Sequence, residues 1–301
     1  MPVTAHSTTA AVVVGVDGSP TSLAAVELAA REAALRRRPL HVVHACVWPL
    51  LNVPLEPPPG APADAGVGHE AERFVAEGVA RARSVAPEIA VTGEVIVGAP
   101  TSVLLHSSAD AVLTVIGDRG LGGFTDLLAG SVAVQLAAHA PGPVLIARGE
   151  VHPAGAVVLG VDGSPANDPA VGYAFESASL RAVPLVAVHA WKHPASTGPG
   201  DMLPLTYDPQ EVREDEQRLL AEALAGWRER FPDVSVEPVL LRSGPRRALI
   251  DATATAQLVV VGTRGRGGIT GLLLGSVSQA LLHHAACPVA VVPARGRRPR
   301  G

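Results

Sequence analysis

Val13-Val14-Gly15-Val16-Asp17-Gly18-Ser19-Pro20 returns later in the chain as Val158-Leu159-Gly160-Val161-Asp162-Gly163-Ser164-Pro165. Residue 13 maps onto residue 158, a shift of 145, and the shift persists well outside this octet. It carries Gly117 onto Gly262, Gly130-Ser131 onto Gly275-Ser276, His44-Ala45 onto His189-Ala190, and Pro143-Val144 onto Pro288-Val289. A constant shift of that size means one domain duplicated in tandem, not a short-period solenoid. The expected domains are residues 1–150 and 151–301, each long enough to bury its own core.

Within the octet an apolar run meets a turn and then a helical pattern. Residues 11–16 read as a strand and Asp17 to Pro20 as the turn. Leu23, Val26, Ala30 and Ala33 then recur at helical spacing to about Arg37. The reading continues with strand 41–47, helix 70–86, strand 91–97, a short helix 101–107, strand 112–116, helix 130–139 and strand 144–147. The second copy repeats it, with strands near 157–161, 185–190, 234–241, 258–261 and 289–292. Continuous Val/Ile/Leu strands alternating with helices indicate an α/β fold, a five-stranded parallel sheet per copy with helices on both faces. That pattern fits Rossmann-like and flavodoxin-like sheets alike, and periodicity leaves the strand order open.

Composition narrows the function. The chain has 301 residues, 48% hydrophobic and 17% charged, which suits two packed cores. A formal net charge of -4 and 3% aromatic residues supply neither a basic footprint nor stacking platforms, so no nucleic-acid partner is expected. The arginines at 295, 297, 298 and 300 read as a solvated tail. No apolar run is long enough for a membrane span, and residues 1–9 lack a signal-peptide core, so no membrane partner is expected. Cys46 and Cys287, the only cysteines, form no zinc spacing and no disulfide framework. A cytoplasmic protein with reduced thiols is the simplest account.

The motif that carries chemistry is Gly117-Asp118-Arg119-Gly120, nine residues, then Gly130-Ser131. It recurs as Gly262-Thr263-Arg264-Gly265, nine residues, then Gly275-Ser276. Glycines after a buried strand let backbone N–H groups approach a ligand, and the helix that follows offers its positive N-terminus to phosphate. The hydroxyls of Ser131 and Ser276 could cap that helix or donate to a phosphate oxygen. The plainer reading is an ordinary glycine turn with a serine cap, and recurrence at matching places favours the phosphate site. Asp17 and Asp162 have a plain reading too, as turn residues bonding their own backbone.

These motifs, with Val14 to Ser19, Val161 to Ser164 and the Leu-x-x-Val-His-Ala runs at 40–45 and 185–190, resemble the universal stress protein family. The resemblance is to the tandem, ATP-binding type found in actinobacteria, and it covers nearly the whole chain. It implies the strand order 3-2-1-4-5, which puts a topological switch between strands 1 and 4 of each copy, where open α/β sheets bind ligands. The switch would bring Asp17 close to Gly117, and Asp162 close to Gly262. In the first copy the resemblance assigns Asp17 to the adenosine part, the Ala45 backbone to adenine, and Gly117, Gly120, Gly130 and Ser131 to the phosphates, with Gly15, Arg119, Gly123 and Val132 also in the ATP site. In the second, Asp162 and Ala190 take the nucleoside and Gly262, Gly265, Gly275 and Ser276 the phosphates, with Gly160, Thr263, Arg264, Arg266, Gly268 and Val277 also in the ATP site. ATP, with or without magnesium, is the implied cofactor, no protein metal site is expected, and the implied role is stress-response regulation without a catalytic residue. The alternative is a slow ATP-hydrolysing or nucleotidyl-transferring enzyme.

Inventory weighs against that alternative. Lys192 is the only lysine and no Gly-x4-Gly-Lys-Ser/Thr loop exists. The dinucleotide fingerprint is missing from the first strand–helix turn, and no Gly-x-Ser-x-Gly elbow or His-Glu-x-x-His helix occurs. His44 and His189, at strand ends, read as packed, hydrogen-bonded histidines. The Pro-rich segments 48–68 and 191–209 read equally as covers over the nucleotide or as surface loops. The second site is expected to bind ATP more tightly. The first has Asp118, Leu121 and Asp126 where the second has Thr263, Arg266 and Gly271, although magnesium bridged by Asp118 would reverse the order. The last strands, 144–147 and 289–292, would leave apolar edges, so internal pairing of the two domains is expected, with homodimerisation a further option.

Overall fold

A computed structural model describes residues 11–46, 67–120, 130–191, 208–265 and 274–294. The chain divides into two compact units between Arg148 and Gly149.

The first unit runs β1 (Val12–Gly15), α1 (Pro20–Arg36), β2 (Leu40–Cys46), α2 (Val67–Val85), β3 (Val91–Val97), α3 (Pro100–Ser107), β4 (Leu113–Gly117), α4 (Ser131–His139) and β5 (Val144–Ala147). Its strands are all parallel, in the order β3-β2-β1-β4-β5. The second unit runs β6 (Val157–Gly160), one 3-10 turn, α5 (Asp168–Arg181), β7 (Leu185–Trp191), α6 (Pro209–Arg230), β8 (Val236–Arg242), α7 (Pro245–Ala252), β9 (Leu258–Gly262), α8 (Ser276–His284) and β10 (Val289–Val292). Its order is β8-β7-β6-β9-β10, again all parallel. The family's order is therefore present in each unit, and the strand expectations differ from the structure only at their ends.

Burial explains the patterning. β1 and β6 are central and covered on both faces, so all four residues of each are buried and apolar. β3 is an edge strand, and its middle residues Thr92, Gly93 and Glu94 are exposed. α1 lays Ala25, Val26, Ala29, Ala30 and Ala33 on β1 and β4, and these small side chains bring helix and sheet close. α1 packs beside α2, and α3 beside α4, so each unit has a helix pair on each face.

Local chemistry sets the helix ends. Ser19 caps α1 by accepting from the Ser22 N–H at 3.2 Å, and Pro20 fills the first turn where no N–H is needed. α1 ends on Arg37 at φ 52° and α5 on Ala182 at φ 51°, both left-handed and both lacking the glycine this conformation favours. The two lie 145 residues apart, so even this strained cap is duplicated.

Candidate functional site

The strand order leaves a crevice in each unit where β1 parts from β4, and β6 from β9. In the first unit the crevice is a cavity of about 470 Å³, and in the second one of about 530 Å³. Around the first lie Gly15, Asp17, Ala45, Gly117, Arg119, Gly120, Gly130, Ser131 and Val132. Around the second lie Gly160, Asp162, Ala190, Gly262, Arg264, Gly265, Gly275, Ser276 and Val277. Thr263, expected with them, does not line the cavity. Gly123, Arg266 and Gly268 fall outside the described residues, as do Leu121, Asp126, Gly271 and most of the two Pro-rich segments.

The turn reading of the aspartates holds, and each also lines its cavity. Asp17 Oδ1 accepts from the Ser19 N–H at 3.0 Å and from the Ser19 hydroxyl at 2.6 Å, which fixes the turn after β1. Its Oδ2 is directed at Gly120, where an added Cβ would collide with it. In the second unit Asp162 Oδ1 takes the Ser164 N–H and hydroxyl, both at 2.8 Å, and a Cβ on Gly265 would lie 2.7 Å from Asp162 Oδ2. Each aspartate thus lies against the second glycine of its motif and shares the cavity wall with the first. The Thr21 hydroxyl donates to the Arg119 carbonyl at 2.6 Å, tying the start of α1 to the glycine loop.

The loop returns to the sheet before its helix begins. The Asp118 N–H donates to the Ala147 carbonyl at 3.2 Å, and the Gly130 N–H to the Asp118 carbonyl at 2.8 Å. The equivalents, Thr263 to Val292 and Gly275 to Thr263, measure 3.0 and 2.7 Å. Gly130 and Gly275 are themselves the caps of α4 and α8, and neither helix has a capping side chain. The serine-cap expectation is corrected here: Ser131 and Ser276 are the first helical residues. The first helical residues, Ser131 and Val132 in one unit and Ser276 and Val277 in the other, line the cavities, so each helix begins at its cavity wall, where helix N-termini favour an anion.

Asp118 also departs from expectation. It is buried and does not line the first cavity, and its carboxylate lies 3.6 Å from Arg119 Nε. Asp118 is thus set back from the cavity wall beside Arg119, and its counterpart Thr263 carries no charge.

The strand-end histidines are hydrogen-bonded, as read from the sequence, but they also line the cavities. His44 Nδ1 is 2.8 Å from the Val16 carbonyl and His189 Nδ1 is 2.7 Å from the Val161 carbonyl. His189 Nε2 has a further partner, Glu216 Oε2 at 2.7 Å.

Against this geometry stand the known relatives. The universal stress protein family model matches residues 9–148 and again 154–293. The chain belongs to the universal stress protein family. It is 40% identical over 318 residues to the universal stress protein Rv1996 of Mycobacterium tuberculosis, covering 95% of this chain and 96% of the relative. A second M. tuberculosis universal stress protein, MT2698, is 42% identical over 296 residues, covering 93% and 95%. A crystal structure of a universal stress protein from Archaeoglobus fulgidus superposes with a TM-score of 0.68 at 19% identity, over 97% of this chain and 100% of that one, a likeness of fold.

Sequence reasoning missed several residues lining this universal stress protein's second cavity: Trp191, Glu216 and Arg246. At the shift of 145 the first copy has Cys46, Ala71 and Thr101, so the substitutions are visible in the sequence. Their position on the cavity is not, because α6 and α7 reach it only through the fold. Among the described residues no helix is long and apolar enough to cross a membrane.

Proposed function

We propose that each unit binds one adenine nucleotide, with ATP the expected ligand, and that the protein acts as a nucleotide-dependent regulator in stress adaptation, not as an enzyme. The observation that carries this reading is that α4 and α8 each begin on a glycine without a capping side chain, at a cavity bounded by glycines where a Cβ would be crowded or would collide. Phosphate would satisfy those N–H groups, and Arg119 or Arg264 would add a charge-assisted contact. Asp17 or Asp162 would meet the nucleoside. Magnesium would enter with the triphosphate, since Asp118 does not reach the first cavity. We also propose the tighter affinity for the second unit, which has the uncharged Thr263 where the first has Asp118 and whose cavity includes Arg246.

Binding without appreciable turnover follows from where the titratable groups lie. The one imidazole–carboxylate pair among the described cavity residues, His189 with Glu216, sits at the end of β7, across β6 from the glycine loop. Both ring nitrogens already have partners within the protein, so the ring is poorly placed to take a proton from water beside the phosphates. Native mass spectrometry of freshly purified protein tests the whole reading. Retained ATP supports it, ADP or AMP accumulating on the protein favours the slow enzyme, and absence of any nucleotide after ATP addition refutes it.

A further inference from the structure

The two cavities differ at one place that bears on what they recognise. α6 packs against β7, and from it Glu216 reaches the second cavity wall with its side chain 24% exposed. Its Oε2 lies 2.7 Å from His189 Nε2, while His189 Nδ1 lies 2.7 Å from the Val161 carbonyl. A carbonyl only accepts, so Nδ1 carries a proton. The ring, held at both nitrogens, fixes the carboxylate and leaves Oε1 as the acceptor that Glu216 offers.

The first unit is a built-in control. Glu216 corresponds to Ala71 at the shift of 145, and the structure supports that register. A Cβ on Gly18 would strike Phe74, and one on Gly163 would strike Leu219, again residues 145 apart. His44 keeps the bond to its β1 carbonyl, Val16, but its ring edge meets Phe74, with centroids 5.4 Å apart, in place of a carboxylate.

Resting on the nucleotide reading above, we propose that Glu216 makes the second site selective for the nucleoside half of its ligand. Its carboxylate accepts a hydrogen bond from a neutral donor there, a ribose hydroxyl or the exocyclic amine, and the first site has no counterpart. The strand order decides which half of the ligand it meets. Phosphates at the glycine loop and α8 lie on the β9 side of β6, so the nucleoside extends toward β7, His189 and Glu216.

The test uses full-length chains carrying Gly120→Val, which leaves the second site, or Gly265→Val, which leaves the first. Calorimetric affinities are measured for ATP, 2′-deoxy-ATP, 3′-deoxy-ATP and purine riboside triphosphate, which lacks the amine. At the second site at least one analogue should bind about tenfold more weakly than ATP, the loss of one hydrogen bond to a charged group. The analogue affected identifies the donor. Glu216→Ala, the residue α2 carries naturally at this place, should abolish the difference, and the first site should not show it. ATP binding with all analogues alike at the second site, or discrimination that survives Glu216→Ala, overturns the role of Glu216 alone. No ATP binding by the unmutated chain overturns the nucleotide reading beneath it.

Discussion

Gly120 and Gly265 occupy positions where any Cβ meets the carboxylate that organises the preceding turn, Asp17 or Asp162. A valine at either position must displace that aspartate and also crowd the backbone a phosphate would approach. Gly265→Val is therefore expected to eliminate binding at the second site and to halve the number of nucleotides per chain, while the fold stays intact by circular dichroism. Isothermal titration measures this directly, and unchanged stoichiometry would move the site elsewhere. Ala182 makes a separate prediction at the same scale. It ends α5 in the left-handed region at φ 51°, which costs an L-residue about 1 kcal/mol that glycine avoids. Ala182→Gly should stabilise the second unit by up to about 1 kcal/mol, less the entropy glycine gains in the unfolded chain, as read by chemical denaturation.

At the level of elements, α8 both presents the open N-terminus and anchors itself to the sheet. Leu281 and Leu282 are fully buried at its C-terminal half, where α8 packs on β9, β10 and α7. The Ser278 hydroxyl donates to the Gly262 carbonyl at 2.7 Å, tying the helix to the end of β9. Leu281→Ala leaves a cavity beneath the helix and should cost about 2–5 kcal/mol of stability in the second unit. Nucleotide should oppose that loss by binding only the folded state, so melting with and without ATP separates a packing defect from a binding defect. A variant that loses binding without losing stability would show that α8 is positioned by something other than this core.

For the whole molecule, duplication predicts two nucleotides per chain, with unequal affinities. Turnover should remain near background, because on the proposed reading the glycine loops and helix N-termini would bind phosphate, and the described residues beside them place no base to activate water. A phosphate-release assay on full-length protein, repeated with Asp162→Ala, checks this. Sustained release at about 1 s⁻¹ or faster, lost in that variant, would establish an enzyme.

What the sequence determined by itself was whatever repeats locally: the duplication, the class of each element, and the glycine spacing. These survive in one dimension because strand burial, helical periodicity and turn chemistry are properties of neighbouring residues. Even the left-handed caps at Arg37 and Ala182 keep their register. Tertiary structure alone decided which side chains meet in the crevice. Ser131 and Ser276 looked like caps until the backbone placed Gly130 and Gly275 there. Asp118 looked like a phosphate neighbour until the loop turned it into the protein beside Arg119. Glu216 lies 27 residues from His189 on a polar, mostly exposed helix, and nothing in its own segment marks it. It becomes part of the site because α6 crosses back over β7, and a contact made by packing two distant elements leaves no periodic trace in either.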